Sequence, residues 1–181
     1  RQAGRRVAGI GTGGIGHDVA ELLLDGEDAA AGSVSAFLAE WGVDTTVSTA
    51  GGLAATAGTE PRPARDITLF QRSATRVGER LGKSTGWILR NRQKKLGVQS
   101  VAGCEYTGID DAGLHYRVNG EARTFGCDSI VICAGQKPAR ELADQLAARG
   151  IRANLIGGAR LAGELDAKRA IDEGTRLAYA L

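Results

Sequence analysis

The sequence predicts an α/β protein built on a mainly parallel sheet. Three observations carry that expectation. Short apolar runs alternate with helical patterns, a glycine motif stands between the first run and the first helix, and a block of closely spaced β segments interrupts the alternation.

Arg6 to Ile10 reads as a short buried strand, followed at once by GTGGIG. Asp18 to Leu24 then has helical spacing, with Val19, Leu22 and Leu23 on one face, and Asp25-Gly26 ends it. Ser35 to Trp41 fits a short amphipathic helix, and Ala50 to Pro63 (AGGLAATAGTEPRP) a flexible connection. Ile67 to Phe70 is a second buried strand, closed by Gln71 and Arg72. Trp87 to Leu96 reads as a basic helix with Gly97 as its stop, and Val98 to Val101 as another strand. A three-stranded excursion follows: Glu105 to Ile109, a turn at Asp110 to Gly113, Leu114 to Val118, the hairpin signal Asn119-Gly120, and Ala122 to Phe125. Ser129 to Cys133 is a buried strand running into Ala134-Gly135. Glu141 to Arg149 is a helix, Asn154 to Ile156 a strand, and Leu165 to Leu181 a final amphipathic helix.

Composition narrows the function. Net charge is only +2, and no basic run stands out, so neither a nucleic acid nor a membrane surface is suggested as a partner. No apolar run approaches the roughly 18 to 20 residues that span a bilayer. The start, RQAGRRVAGIG, has too short an apolar stretch for a signal peptide. Cys104, Cys127 and Cys133 fit neither a disulfide framework nor a metal spacing and read as buried thiols in a reducing cytoplasm. Glycine supplies 27 of 181 residues, about twice the usual roughly 7%, as expected where backbone turns sharply or nears a ligand. Methionine is absent, even at position 1, and the chain opens almost directly into a strand, which reads as a piece of a longer polypeptide.

The first chemical motif is Gly11-x-Gly13-x-x-Gly16. A dinucleotide pyrophosphate lies against a helix start, where unpaired amides and the helix dipole favour negative charge. Gly11 allows the tight turn, Gly13 lets backbone meet phosphate, and Gly16 lets helix and strand pack closely. The motif follows a strand and opens a helix, the context it requires, so the fold expectation becomes Rossmann-like. Thr12, Gly14 and Ile15 complete the expected cradle.

The second motif closes the next strand. NAD-selective sites carry Asp or Glu there for the ribose 2′-hydroxyl. This chain has Gln71-Arg72, followed by Arg76. A guanidinium binds a 2′-phosphate through forked, charge-assisted hydrogen bonds, whereas a carboxylate repels it. The expectation is therefore NADPH over NADH, against the alternative that both arginines simply face water. Arg72 lies 56 residues after Gly16, where about 20 is usual. Residues 26–66 must then be an insertion that leaves the strand order intact.

Other features carry less. Gly78-Glu79-Arg80-Leu81-Gly82-Lys83-Ser84 imitates a Walker loop, but three residues separate its glycines instead of four, and no strand leads into it. His17 and His115, the only histidines, have no triad or metal partner. The strand exit at Ala134-Gly135 would let the chain pass beneath a ligand, although alone it equally suits an ordinary strand end. Gly157-Gly158 is again a glycine pair before a helix. No catalytic acid, base or nucleophile stands out, as expected where cofactors supply the chemistry.

Taken together, VAGIGTGGIGHDVAELLL, LFQRSATRVGERLGKSTGWILR, SIVICAGQKPARELA and LIGGARLAGELDAKRAIDEGTRLA resemble the NADPH-dependent 2,4-dienoyl-CoA reductase family, relatives of old yellow enzyme. The resemblance spans nearly the whole chain; GKSTGW and IGGA…ELDAKRAI are its most specific parts. It implies an NADPH-binding domain over 1–135 and, over 136–181, the C-terminal part of a second, FAD-binding domain. It implies that Ala134, Gly135, Gly157 and Gly158 face FAD, the glycine pair near its pyrophosphate and ribityl chain. Many flavoproteins of this plan have Gly-Asp there; Gly158 removes that carboxylate. The family places an FMN barrel, an iron–sulfur cluster and the first half of the FAD domain in the remainder of the same polypeptide. Electrons then run from NADPH through FAD, cluster and FMN to a dienoyl-CoA, in fatty acid β-oxidation. Two alternatives stay open: the same segment of an amine dehydrogenase or demethylase or another enone reductase, and a non-catalytic ADP-binding module.

Overall fold

The computed structural model describes residues 3–25, 33–54, 62–163 and 166–181. The chain divides into two compact units, Arg1–Ala134 and Gly135–Leu181. The Gly26 helix stop, residues 55–61 of the expected connection and Leu165 lie outside the described residues.

In the first unit, β1 (Arg6–Ile10), β2 (Asp66–Phe70), β3 (Gln99–Val101) and β7 (Ser129–Ile132) form a sheet in the order β3-β2-β1-β7. All its pairings are parallel, with β1 matched to β2 from Arg6↔Asp66 to Ile10↔Phe70 and to β7 from Val7↔Ser129 to Ile10↔Ile132. β1 and β2 are apolar runs because both sheet faces are covered. On one face, Ala20, Leu23 and Leu24 of α1 (Gly14–Leu24) pack against Val7, Ile67 and Leu69. On the other, Ala8, Ile10 and Phe70 meet Cys104, Leu114 and Tyr116. These last come from or just before a second, antiparallel sheet of β4 (Glu105–Asp110), β5 (Gly113–Val118) and β6 (Glu121–Phe125). Phe70 is fully buried between the layers, its ring edge-on to Tyr116 at 5.1 Å and to Phe125 at 5.2 Å. The β5–β6 turn places Asn119 and Gly120 at φ 53° and 82°, the left-handed pair that a tight two-residue hairpin requires.

The long interval before β2 leaves the strand order intact, since β1 and β2 are direct neighbours. Within it, α2 (Val34–Glu40) is capped by the Ser33 hydroxyl, which accepts from the Ala36 amide. Asp44 accepts from the hydroxyls and amides of Thr46 and Ser48, bonds that hold its carboxyl far below the usual carboxylate range. α2 is fastened to the domain through Arg92 on α3 (Gly86–Lys95). The Arg92 guanidinium contacts Glu21 of α1, Asp25 at its C-terminal end and Glu40 of α2. Burial pushes the Asp25 and Glu40 carboxyls up, Glu40 also through the Asp25 charge.

In the second unit, α4 (Glu141–Ala148), α5 (Gly157–Arg160) and α6 (Ala167–Ala180) include no buried side chain in α4 or α6. Polar contacts hold it instead: Asp166 caps α6 by accepting from the Arg169 amide, and Arg140 donates to the carbonyls of Ala159 and Arg160.

Three expectations need correction. α1 begins at Gly14, not Asp18, because the glycine turn itself supplies the first helical residues. Residues 154–156 form no strand: an extended segment becomes one only by pairing, and 151–156 pair with nothing described. Of the three thiols only Cys104 is buried; Cys127 and Cys133 are half-buried, and all three are free. No described helix is long and apolar enough to cross a membrane.

Phe70 sits at the joint of both layers, so Phe70→Ala should cost about 3–5 kcal/mol in chemical denaturation. A loss below about 1 kcal/mol, the level of an ordinary surface change, contradicts this packing.

Candidate functional site

The site is built where β1 and β2 end together. Gly11 leaves β1 with its amide donating to the Phe70 carbonyl at 2.9 Å, so the turn stays fastened to the neighbouring strand. Its φ is 107°, and a Cβ there would sit 2.7 Å from the Cys133 carbonyl oxygen. Gly16 is tighter still, since a Cβ would come within 1.9 Å of the Gly11 carbonyl oxygen. The first turn of α1 can therefore rest on the loop only if position 16 has no side chain. Gly13 and Gly14 differ: a Cβ on either would meet nothing within 4 Å. Their open side is where backbone is accessible to a ligand.

Gly13 caps α1, no side chain caps it, and no acidic residue stands in the first turn. The first intrahelical bond from this end runs from the His17 amide to the Gly13 carbonyl, leaving the amides of Gly14, Ile15 and Gly16 as the helix's open donors. Thr12 and Ile15 border this opening; Ile15 is 55% exposed. The arrangement attracts an anion through amides and helix dipole together.

Beyond Phe70 the chain enters the second expected half of the site. Gln71 is buried and turned inward: its Oε1 accepts from the Thr12 hydroxyl, and its Nε2 donates to the carbonyls of Ser73 at 2.9 Å and Thr75 at 2.6 Å. Both Nε2 hydrogens are thus engaged within the protein, and Oε1 already has one donor. Arg72 and Arg76 are exposed and make no ion pair among the described residues. The Arg72 charge is felt at Tyr106, whose phenol burial and the Cys104 thiol push up to about 12 against the pull of Arg72.

His17 is 2% exposed and performs a structural task. Its Nδ1 lies 2.7 Å from Gln93 Oε1, while Gln93 Nε2 donates to the His17 carbonyl at 2.9 Å, joining α1 to α3. No sequence signal reveals this pair, whose members are 76 positions apart. His115 bonds Thr124 and lies beside Asp110 on the antiparallel sheet. The segment from Gly78 to Ser84 forms turns, with the Gly78 carbonyl accepting from Arg90, and no strand enters it.

Ala134 ends the first unit, exposed; Gly135 begins the second with φ 82°. In the second unit, Gly157 opens α5 with its amide already committed, donating to Glu173 at 2.6 Å. Arg160 and Arg169 also grip that carboxylate, and together with the Gly157 amide they hold it down to about 2. The expected contact of Gly157 with a flavin pyrophosphate is therefore not available from that amide as it stands. Gly158 is half-buried beside it.

Gly13 and Gly16 separate fold from function. Gly13→Ala, entering open space, should cost no more than about 1 kcal/mol, the loss of a favourable N-cap residue, yet weaken dinucleotide binding about tenfold or more by blocking close approach. Gly16→Ala should cost about 1–3 kcal/mol of stability, because helix and loop must part. Thermal melts and dinucleotide titrations check both; equal behaviour of the two variants contradicts the geometry.

A model of the family described as pyridine nucleotide-disulphide oxidoreductase matches residues 1–158. Among solved structures, histamine dehydrogenase from Rhizobium sp. 4-9 is similar at TM-score 0.63 and 19% identity, over 99% of this chain and 22% of that one. A 2-naphthoyl-CoA reductase in complex with 2-naphthoyl-CoA is similar at TM-score 0.61 and 18% identity, over 98% of this chain and 21% of that one. At these identities the likeness is one of fold, and this chain spans about a fifth of either neighbour's length. With the glycine turn, the parallel sheet and most of the chain inside a single family model, the chain belongs to the pyridine nucleotide-disulphide oxidoreductase family.

Proposed function

We propose that this chain is the nicotinamide-nucleotide-docking segment of a flavin-dependent oxidoreductase, that it takes NADPH, and that it presents the nicotinamide to FAD. The observation that carries the reading is the pairing of two features at one sheet edge. The uncapped, carboxylate-free start of α1 suits a diphosphate, and the next strand ends in a loop with two exposed arginines that have no acidic partner among the described residues.

Each residue has a task in this reading. The amides of Gly14, Ile15 and Gly16 bind the diphosphate, Gly13 admits it, and Gly11 holds the turn against β2. Arg72 and Arg76 bind the 2′-phosphate, neither of them held in an ion pair among the described residues. Bound NADPH supplies a hydride, two electrons with one proton, and oxidised flavin is its acceptor. No side chain need act as acid or base, in keeping with the structural tasks of His17 and His115.

The flavin side is less complete in this chain. Glu173 holds the Gly157 amide, and Leu142 and Ile171 of the second unit are 70% and 67% exposed. Apolar helix faces left open in this way suit a unit that is part of a larger FAD domain. The remainder of the polypeptide, with FMN and an iron–sulfur cluster, is proposed from the sequence resemblance alone. So is reduction of a 2,4-dienoyl-CoA. The two neighbours bear the names of different small molecules, histamine and 2-naphthoyl-CoA, yet both share this fold almost end to end. That supports a segment delivering electrons while other parts choose the substrate.

Titration of the intact protein with NADPH and NADH tests the reading. NADPH should bind more tightly, and Arg72→Ala should weaken it by roughly 1.5–3 kcal/mol, the usual loss for a hydrogen bond to a charged group, with NADH little changed. Equal affinities, unchanged by Arg72→Ala, defeat the assignment. Anaerobic NADPH should bleach the flavin; a flavin that stays oxidised favours an ADP-holding module.

A further inference from the structure

Gln71 stands where this fold usually places the residue that reads the adenosine ribose, yet each of its hydrogen-bonding groups already has a partner within the protein. Both Nε2 hydrogens have carbonyl acceptors, on Ser73 and Thr75, and Oε1 has the Thr12 hydroxyl. Its backbone amide donates to Val101 at 3.0 Å, and its carbonyl accepts from Cys104 at 2.9 Å. The residue is 9% exposed. Thr12 belongs to the glycine turn, while Ser73 and Thr75 lie between Arg72 and Arg76. One buried carboxamide thus ties the diphosphate cradle to the loop that carries both guanidinium groups.

We propose that Gln71 is a positioning residue for nucleotide selectivity, fixing the spacing between diphosphate cradle and arginine loop before the dinucleotide arrives. The proposal rests on the NADPH reading given above. Its logic is differential. Diphosphate contacts are common to NADPH and NADH, but arginine contacts serve only the 2′-phosphate. Loosening the tie lets the arginine loop drift, so NADPH loses a prepaid alignment while NADH keeps its own. An acidic residue here would do more than repel the 2′-phosphate. Lacking two donors, it would set a carboxylate oxygen against the Ser73 and Thr75 carbonyls and release the loop.

The test is a set of variants of the intact protein titrated with both dinucleotides. Gln71→Glu keeps size and the Thr12 acceptor but loses the two donors; Gln71→Met removes all three bonds. In both, the NADPH-to-NADH affinity ratio should fall about tenfold, the scale of one charge-assisted hydrogen bond. NADH affinity should move less than about threefold, the scale of a neutral one. In an Arg72→Ala, Arg76→Ala background, Gln71→Met should leave the ratio where it is, because nothing remains to be positioned. A folded Gln71 variant that weakens both dinucleotides equally, or neither, overturns the proposal. If neither variant folds, Thr12→Val severs one of the three bonds and must still lower the ratio; an unchanged ratio also overturns it. If Arg72→Ala lowers the ratio while the Gln71 variants do not, only this inference falls. If Arg72→Ala itself leaves the ratio unchanged, the NADPH reading falls first.

Discussion

Gly11 has almost no room. Its amide is held by the carbonyl that ends β2, and its α-carbon lies so near the carbonyl beyond β7 that any side chain would collide with backbone. Three neighbouring strands therefore finish at one point, and the chain can leave β1 only by a sharp left-handed bend into α1. Everything at the candidate site follows from that crowding. It sets the start of α1 beside the end of β2, and it puts the open face of Gly13 and the loop after Phe70 on one sheet edge. Parallel pairing in register from Arg6↔Asp66 to Ile10↔Phe70 is what holds the two ends level.

Support for this edge comes from both faces of the sheet. α1 covers one side, and the antiparallel β4-β5-β6 sheet covers the other through Phe70, Leu114 and Tyr116. Phe70 immediately precedes Gln71, so the most buried side chain of β2 anchors the residue that organises the loop. Charge is arranged to match. Acidic groups gather around Arg92, at the far end of α1, while the near end has none in its first turn. The helix thus meets an anion with its dipole unopposed.

Much of this was legible in the sequence, for identifiable reasons. β1 and β2 are apolar because both sheet faces are buried there, whereas β7, expected to be buried, lies at the sheet edge half-covered with Ile132 65% exposed; Asn119-Gly120 names its own turn. The glycine spacing was readable because Gly11 and Gly16 each answer a steric demand of the turn. What escaped depended on partners distant in sequence. Gly14 to His17 has poor intrinsic helix propensity, so sequence alone starts the helix at Asp18; the turn's geometry overrides that preference. Asn154 to Ile156 looked like a strand, but pairing decides that, and the described residues offer no partner. Periodicity cannot tell which way a glutamine amide points, so the bonds of Gln71 to Thr12, Ser73 and Thr75 were not legible. Likewise, nothing links Gly157 to Glu173, or Arg92 to three carboxylates, until the helices are packed.

The central claim is that the glycine turn and the arginine loop form one dinucleotide site. Amide hydrogen exchange on the intact protein, with and without saturating NADPH, addresses it directly, because a bound diphosphate must slow the open amides of α1. The account predicts that protection appears together over residues 11–17 and 71–76, and that NADH protects the first stretch more than the second. Protection confined to one stretch with NADPH, or absent from both, contradicts it.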